Sequence, residues 1–219
     1  MYSSELDHIA IAAQSLEQGV AWLETVFGIQ IPYGGEHPQM GTHNHIMQLG
    51  DGLYVEIICI NPDAPAPNRP RWFNLDDPIL QQQLAQQPRL LTWIVRNSDI
   101  KSCLALLSFD AGSVHQMRRG DLQWQITIPD DGSLPFDGLF PTLIQWPDIP
   151  HPSGKMPDLG CRLLSFDLYH PDVAYFQSVL DPLRLTTHIK FHDLTGEETP
   201  YFQLQFQTPK GVVDLSSRG

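Results

Sequence analysis

The chain has 219 residues, and its 25 acidic against 13 basic residues give a formal net charge of -12. No lysine or arginine precedes Arg69, whereas eight carboxylates and four histidines do. Such a segment would repel phosphate backbones and anionic membranes, which are bound by clusters of Lys and Arg. We therefore expect neither nucleic acid nor a membrane surface as a partner.

The three cysteines, Cys59, Cys103 and Cys161, are far apart and lie in apolar or small-residue surroundings. This usage is typical of buried free thiols in a reducing compartment. The first residues lack the basic region of a secretory signal, and no apolar run reaches the roughly 20 residues that a membrane helix needs. The sequence therefore predicts a cytoplasmic protein.

The first predicted elements are a strand over residues 6–13 and the helix that follows it. Alternation in the strand places His8 with the alanines on one face and Ile9 on the other. Ser15, with Gln18 three residues later, is a predicted N-cap, and Gly28 a predicted helix end. This strand and helix open the first unit.

Residues 33–38 are rich in glycine and are predicted to form a loop. Strands over residues 45–49 and 53–60 follow, and Gly50-Asp51-Gly52 between them predicts a hairpin. Alternation in the second strand places Glu56 among apolar neighbours. Residues 61–71 contain four prolines and are predicted to be an extended connection.

The same order of elements then returns twice. Strands are predicted over residues 90–96, 122–128 and 141–146, and again over 163–169, 201–207 and 211–215, with a helix after the first strand of each set. The helix starts at Ser15, Asp99 and Asp172 are 84 and 73 residues apart. We therefore predict three strand-helix-strand-strand units.

Several short motifs carry a family resemblance. They are Leu6-Asp7-His8-Ile9, Gly34-Gly35-x-His37-Pro38-x-x-Gly41-Thr42-x-Asn44, Tyr54-Val55-Glu56-Ile57-Ile58, Arg71-Trp72-Phe73 and Leu143-Ile144-x-Trp146-x-x-x-x-His151-Pro152-Ser153. With the repeat, they resemble the glyoxalase-like branch of the vicinal oxygen chelate superfamily, which includes glyoxalases, bleomycin resistance proteins and extradiol dioxygenases.

The resemblance implies an α+β fold in which paired βαβββ units form a curved mixed-sheet cup over residues 1–150. A third related unit, residues 160–219, would then pack on the cup or on a partner chain. Because two units close one cup, the third must cover a sheet edge or pair with a second copy, and the latter predicts a homodimer.

The resemblance also implies a divalent metal ion (Zn, Ni, Fe or Mn) held by the first and last strands of each unit. Carried over by position, its ligands would be His8, Glu56 and Gln145, whereas Thr92 at the fourth position departs from the pattern. From the residues alone, His8 could instead bond a backbone carbonyl, and Glu56 could pair with Arg71 or be protonated.

Other polar and aromatic residues are candidates for the same cup. Glu56 and His37 are predicted to transfer protons. The predicted ligand-binding residues are Arg71, Trp72, His43, Asn44, Trp124 and Trp146. Each also has a structural alternative: a loop histidine, a polar strand start, a salt bridge of Arg71 or core packing of the tryptophans, which we favour for Trp93.

Two functions remain open. One is a metal-dependent lyase, isomerase or dioxygenase that acts on a small oxygenated metabolite, and the other is a metal-free protein that binds or sequesters a small molecule. The sequence has no Gly-x-Ser-x-Gly elbow, dinucleotide loop, Walker lysine or His-Glu-x-x-His motif. Triad hydrolases, nucleotide-dependent kinases and classical dehydrogenases are therefore disfavoured.

Overall fold

The computed structural model describes residues 2–50, 52–196 and 198–218. The first unit contains β1 (Ser4–Ala12), α1 (Leu16–Phe27), β2 (Tyr33–His37), β3 (Thr42–Gln48) and β4 (Tyr54–Ile60). The Ser15 side chain accepts a hydrogen bond from the Gln18 amide, and Gly28 ends α1 at a φ of 77°. The predicted strand, N-cap and helix end are therefore confirmed, whereas the predicted turn residue Asp51 lies outside the described residues.

The second unit has the same order of elements. After α2 (Pro78–Leu84) come β5 (Arg89–Asn97), α3 (Ile100–Leu104), β6 (Ser113–Arg119), β7 (Leu122–Ile128) and β8 (Thr142–Gln145). The sequence analysis missed α2 and β6, and it was wrong about residues 33–38, which form strand β2 and not a loop up to His37. Edge strands such as β2 and β6 need no apolar alternation, because only one side pairs and little of their surface is buried.

Both units join in one eight-stranded sheet of order β2-β3-β4-β1-β5-β8-β7-β6. Within each unit the first strand is parallel to the last, and β1 and β5 join the units antiparallel. The edge strands β2 and β6 approach each other, and the side-chain amide of Gln39 bonds both Gln116 O and the Arg118 amide of β6. The sheet is thus curled into a cup that is nearly closed along this seam.

The two faces of the sheet bury different sets of side chains. The concave face carries Ala10, Ala12, Ile58, Ile94, Ile126 and Ile144, and the convex face carries Ile9, Ile11, Val55, Ile57, Trp93 and Leu143. The alternation predicted for β1 and β4 is therefore confirmed, and so is the core position of Trp93, whose indole N–H donates to Leu139 O.

The C-terminal unit contains β9 (Arg162–His170), α4 (Val173–Leu180), β10 (Lys190–Asp193), β11 (Tyr201–Thr208) and β12 (Gly211–Ser216). It repeats the order of elements but not the order of strands, which is β10-β9-β11-β12. It packs on the convex face of the large sheet and not along its edge, with the rings of Trp93 and Phe166 4.8 Å apart and those of Phe27 and Phe206 5.2 Å apart. The cup is therefore left free.

Two further observations concern the chain as a whole. All three cysteines are buried and free, as predicted. Among the described residues, no helix has both the length and the apolar character that crossing a membrane requires.

Candidate functional site

A β-bulge brings two neighbouring polar side chains of β1 together. The pairing register with β5 shifts between Leu6 and His8, so the strict alternation of side chains is interrupted at Asp7. As a result Oδ1 of Asp7 lies 2.7 Å from Nδ1 of His8, and both side chains are buried. Because a carboxylate only accepts, Nδ1 of His8 donates this hydrogen bond, and in the neutral imidazole the lone pair is then on Nε2.

Asp7 is completely buried and is surrounded by hydrogen-bond donors. Its Oδ2 atom accepts from Nε2 of His151 at 2.8 Å and from the indole nitrogen of Trp146 at 2.9 Å. Burial by itself would raise the pKa of Asp7, but the hydrogen bonds from His151 and His8 outweigh it and hold the pKa well below its usual range. Asp7 is therefore an ionised carboxylate that orients His8.

Glu56 lies beside His8 on the adjacent strand β4. Its Oε2 atom is 3.7 Å from Nε2 of His8, and its Oε1 atom accepts from Nδ2 of Asn44 at 2.5 Å. The His8 ring also stacks on Tyr54, with 4.3 Å between the ring centroids. The packing of Tyr54 and the bond to Asp7 hold the His8 imidazole in place beside Glu56.

The network continues from Asn44 to the far wall of the cup. Oδ1 of Asn44 accepts from Nη1 of Arg119 at 3.2 Å, and the same Nη1 lies 3.5 Å from Nε2 of His37. Burial, and to a lesser extent the nearby Arg119 cation, lowers the pKa of His37 to about 3. His37 is therefore neutral at neutral pH, and its other ring nitrogen bonds Thr42.

The two glycines of β2 make room for this network. A Cβ atom on Gly34 would lie 2.4 Å from Oδ1 of Asn44, and one on Gly35 would lie 3.1 Å from Cδ of Arg119. Gly35 also has a φ of +145°, which other residues rarely adopt. Gly34 and Gly35 thus permit the close approach of Asn44 and Arg119 and are not the hinge of a loop.

These groups surround a cavity of about 30 Å³. Its wall also includes the aromatic side chains Trp72, Phe73, Trp124 and Trp146. The indole nitrogen of Trp72 is buried and has no hydrogen-bond partner within the described part of the chain. The space holds about one water molecule, so a larger ligand must displace a side chain or widen the seam.

Three predicted site residues lie elsewhere, and these assignments are corrected. His43 is on the convex face, because alternation in β3 places it opposite Asn44. Arg71 pairs with Asp76 at 2.6 Å and does not line the cup. Gln145 is on the convex side of β8, next in alternation to the concave Ile144, and its Oε1 accepts from the Ile100 amide at 2.9 Å.

The loss of Gln145 bears on the expected metal site. His8 and Glu56 each offer a donor, while β5 and β8 offer Thr92, whose hydroxyl bonds Gly138 O, and the apolar concave residues Ile94 and Ile144. No group of three His, Cys, Asp or Glu side chains that could hold a metal occurs in the ranges the structure describes. The residues present do not fit a catalytic centre with three protein ligands.

The sequence analysis missed four residues of the site: Asp7, Tyr54, Arg119 and His151. Asp7 and His151 stood in motifs used for the resemblance, but alternation places Asp7 away from His8 when the bulge is not known. Arg119 lies on a strand that was not predicted. The motif at His151 was the one signal that could have indicated its position.

The comparison with protein families is decisive for the fold. A family model described as a glyoxalase-like domain matches residues 6–183. The chain belongs to this glyoxalase-like family. The resemblance and the α+β cup predicted from the sequence are thereby confirmed for the greater part of the chain.

Two solved structures share the fold of this glyoxalase-like protein at low sequence identity, and a third is a weaker match. A hypothetical protein from Staphylococcus aureus is 14% identical, with a TM-score of 0.57 over 97% of this chain and 84% of that one. A mutant 4-hydroxymandelate synthase from Streptomyces coelicolor is 11% identical, with a TM-score of 0.50 over 99% of this chain and 63% of that one. Methylmalonyl-CoA epimerase from Mycobacterium tuberculosis is 15% identical, with a TM-score of 0.40 over 65% of this chain and 87% of that one.

No curated protein matches the glyoxalase-like chain significantly. The comparisons therefore establish the family and the fold. They do not establish the reaction or the ligand.

Proposed function

We propose that this glyoxalase-like protein binds a small oxygenated metabolite in the cup and moves a proton on it with His8. The observation that carries the proposal is the hydrogen bond from Nδ1 of His8 to the buried carboxylate of Asp7, which leaves the Nε2 lone pair beside Glu56. An imidazole oriented by a carboxylate is a common general base. The proposed reaction class is an isomerase or lyase step that begins at a carbon next to a carbonyl group.

In the proposed step, Nε2 of His8 takes the proton from carbon, and the electron pair of the broken C–H bond moves to the carbonyl oxygen to form an enolate. The imidazolium is then flanked by two carboxylates, Asp7 on Nδ1 and Glu56 near Nε2, which stabilise its positive charge. Return of a proton to the opposite face of the same carbon restores the carbonyl group, inverts the configuration of that carbon and completes an isomerisation. No step passes through a metal ion, because the donor set does not fit one.

The test is solvent exchange of a carbon-bound proton. The protein is incubated in D₂O with a panel of 2-oxo and 2-hydroxy compounds, with and without a chelator, and the substrate is followed by proton NMR. We expect exchange in at least one compound, no effect of the chelator, and loss of about 100-fold or more in His8→Gln. His43→Gln, which removes an imidazole from the convex face, is the matched control and should retain the activity.

A second candidate function is binding without turnover, and the aromatic wall favours it. Trp72, Phe73, Trp124 and Trp146 form most of the apolar lining, as in pockets that hold a ligand mainly by contact area. The same experiment separates the two functions. Binding without any exchange supports sequestration, and exchange that disappears with the chelator contradicts the metal-free proposal.

A further inference from the structure

We propose that the ligand of the cup carries a carboxylate, and that Arg119 and the indole N–H of Trp72 bind it. This inference rests on the proposed function only in placing the ligand in the cup. It adds the chemical class of the ligand and names the residues that select it.

The first observation is that Arg119 has no anionic partner within the described part of the chain. Its hydrogen-bond contacts are Oδ1 of Asn44 and Nε2 of His37, both neutral acceptors, and both are made by Nη1. No carboxylate partner of Arg119 occurs among the residues that the structure describes. A guanidinium has five N–H donors, so most of them remain available in a half-buried position where a cation is ordinarily paired.

The second observation is the unpaired donor of Trp72. Trp72 is 4% exposed, and its Nε1 atom has no acceptor within the described residues. Buried N–H groups are rarely left without a partner, because the loss of hydration is not compensated. Trp72 and Arg119 both line the cavity, so a ligand oxygen there would satisfy a donor that the protein leaves unpaired.

His37 contacts both Trp72 and Arg119. Its ring lies edge-on to Trp72, with 5.1 Å between the centroids, and its Nε2 atom lies 3.5 Å from Nη1 of Arg119. With a pKa of about 3, His37 is neutral at neutral pH, so the positive charge that faces the cavity here is that of Arg119. The cation and the indole N–H therefore flank one neutral residue on the same wall, which suits a group with two acceptor oxygens.

Asn44 keeps this cation away from the carboxylate of Glu56. Its Oδ1 atom accepts from Arg119, and its Nδ2 atom donates to Glu56, so an amide separates two opposite charges that would otherwise form a salt bridge. Because Arg119 is held by a neutral group, an incoming carboxylate can replace Asn44 as its partner without breaking an ion pair. The same cavity presents His8 and Glu56 to the rest of the ligand.

The test compares acids with their amides, which have nearly the same shape but no charge. Acetate, pyruvate, lactate, benzoate and phenylpyruvate, and the five corresponding amides, are titrated against the full chain by calorimetry and tryptophan fluorescence. We expect at least one acid to bind about tenfold or more tightly than its amide. Arg119→Gln should abolish this preference, and Trp72→Phe should weaken binding of the acid by about threefold to tenfold with little effect on the amide.

Two further variants guard against an effect on folding. Arg118→Gln removes an exposed arginine from the next position of β6 and should keep the preference. Arg119→Lys keeps the charge but loses the forked geometry, and should keep part of the preference. Melting curves of all four variants establish that they fold.

The inference is overturned if no acid binds, if every acid that binds is matched in affinity by its amide, or if the preference survives in Arg119→Gln. These failures differ from failure of the proposed function. Amides that bind and exchange protons would refute the carboxylate site and leave the role of His8 intact. Acids that bind but never exchange a proton would refute the role of His8 and leave the carboxylate site intact.

Discussion

Nε2 of His8 lies 3.7 Å from Oε2 of Glu56, and neither atom has another hydrogen-bond partner among the described residues. A proton that Nε2 takes from a substrate would therefore lie beside Glu56, whose carboxylate stabilises the positive charge of the imidazolium. The two residues should therefore act as one unit in the exchange of a substrate proton.

A double-mutant cycle tests this coupling. We expect His8→Gln and Glu56→Gln each to lower the exchange rate by about 100-fold or more, and the double variant to lose little beyond the larger single effect, because one proton site has already been destroyed. The rates are measured by NMR in D₂O. Losses that multiply in the double variant would show that the residues act independently.

The contribution of Asp7 to the stability of the fold should depend on pH. Its folded-state pKa is depressed below the usual 3.8, so the stability it supplies is present above about pH 4 and is lost as the pH falls further. Asp7→Asn replaces an acceptor of three hydrogen bonds by a group that also donates. We expect it to lower the free energy of unfolding by about 3 kcal/mol at neutral pH.

Urea titrations at neutral pH and at several acid pH values measure both effects. The difference in the free energy of unfolding between Asp7→Asn and the natural protein should shrink as the pH falls below 4. Asp148→Asn, at an exposed position, should match the natural protein throughout. An equal deficit at every pH would contradict the assignment of Asp7 as an ionised carboxylate.

The sequence predicted the parts of the site that follow from regular alternation. His8 on β1 and Glu56 on β4 face the cup because alternation is regular in β4 and, from His8 onward, in β1, and α1 follows its capping residues. Asp7 could not be predicted in the same way, because its contact with His8 depends on a bulge that no residue type at that point indicates. The bulge is set by pairing with β5, which is distant in sequence.

The errors at His43 and Gln145 have one physical cause. Each residue is one position away from a concave residue, Asn44 or Ile144, and an error of a single position moves a side chain to the other face. Arg119 was missed because β6 is an edge strand of mostly polar residues. The face on which each of these side chains lies is fixed by pairing between strands that are distant in sequence, and patterns in one sequence predict such pairing poorly.

His37 should make the protein less stable in mild acid. Its pKa is lowered to about 3 from the usual 6.5, so the unfolded chain takes up a proton between these values and the folded chain does not. This group alone should remove about 1.4 kcal/mol of stability for each pH unit below 6.5. Urea titrations at neutral pH and at mildly acidic values should show this slope in the natural protein and its loss in His37→Gln.

The control for this titration is His188→Gln, which alters an exposed histidine. It should keep the full slope. If His37→Gln keeps it as well, another group is responsible for the loss of stability in acid.

Gly34 should tolerate no side chain, although it lies in a strand where larger residues are usual. A Cβ atom there would lie 2.4 Å from Oδ1 of Asn44 and 2.9 Å from Cγ1 of Ile46. We expect Gly34→Ala to lower the free energy of unfolding by about 1 to 3 kcal/mol and to weaken ligand binding, because Asn44 must shift from Arg119 and Glu56. Gly154→Ala, where no atom lies within 4 Å of the added Cβ, is the control and should change neither quantity.

Gln39 closes the seam of the cup, and its removal should free the edge of β6. Its side-chain amide donates to Gln116 O at 3.2 Å and accepts from the Arg118 amide at 2.9 Å, as a paired strand would. In Gln39→Ala we expect the Arg118 amide to lose its protection in hydrogen exchange followed by NMR, while amides of the central strand β5 keep theirs. The free energy of unfolding should fall by only about 1 kcal/mol, because the bonds are exposed to water. Since the cavity is smaller than any organic ligand, a looser seam should also speed ligand association. An unchanged association rate together with a protected Arg118 amide would show that the ligand enters elsewhere.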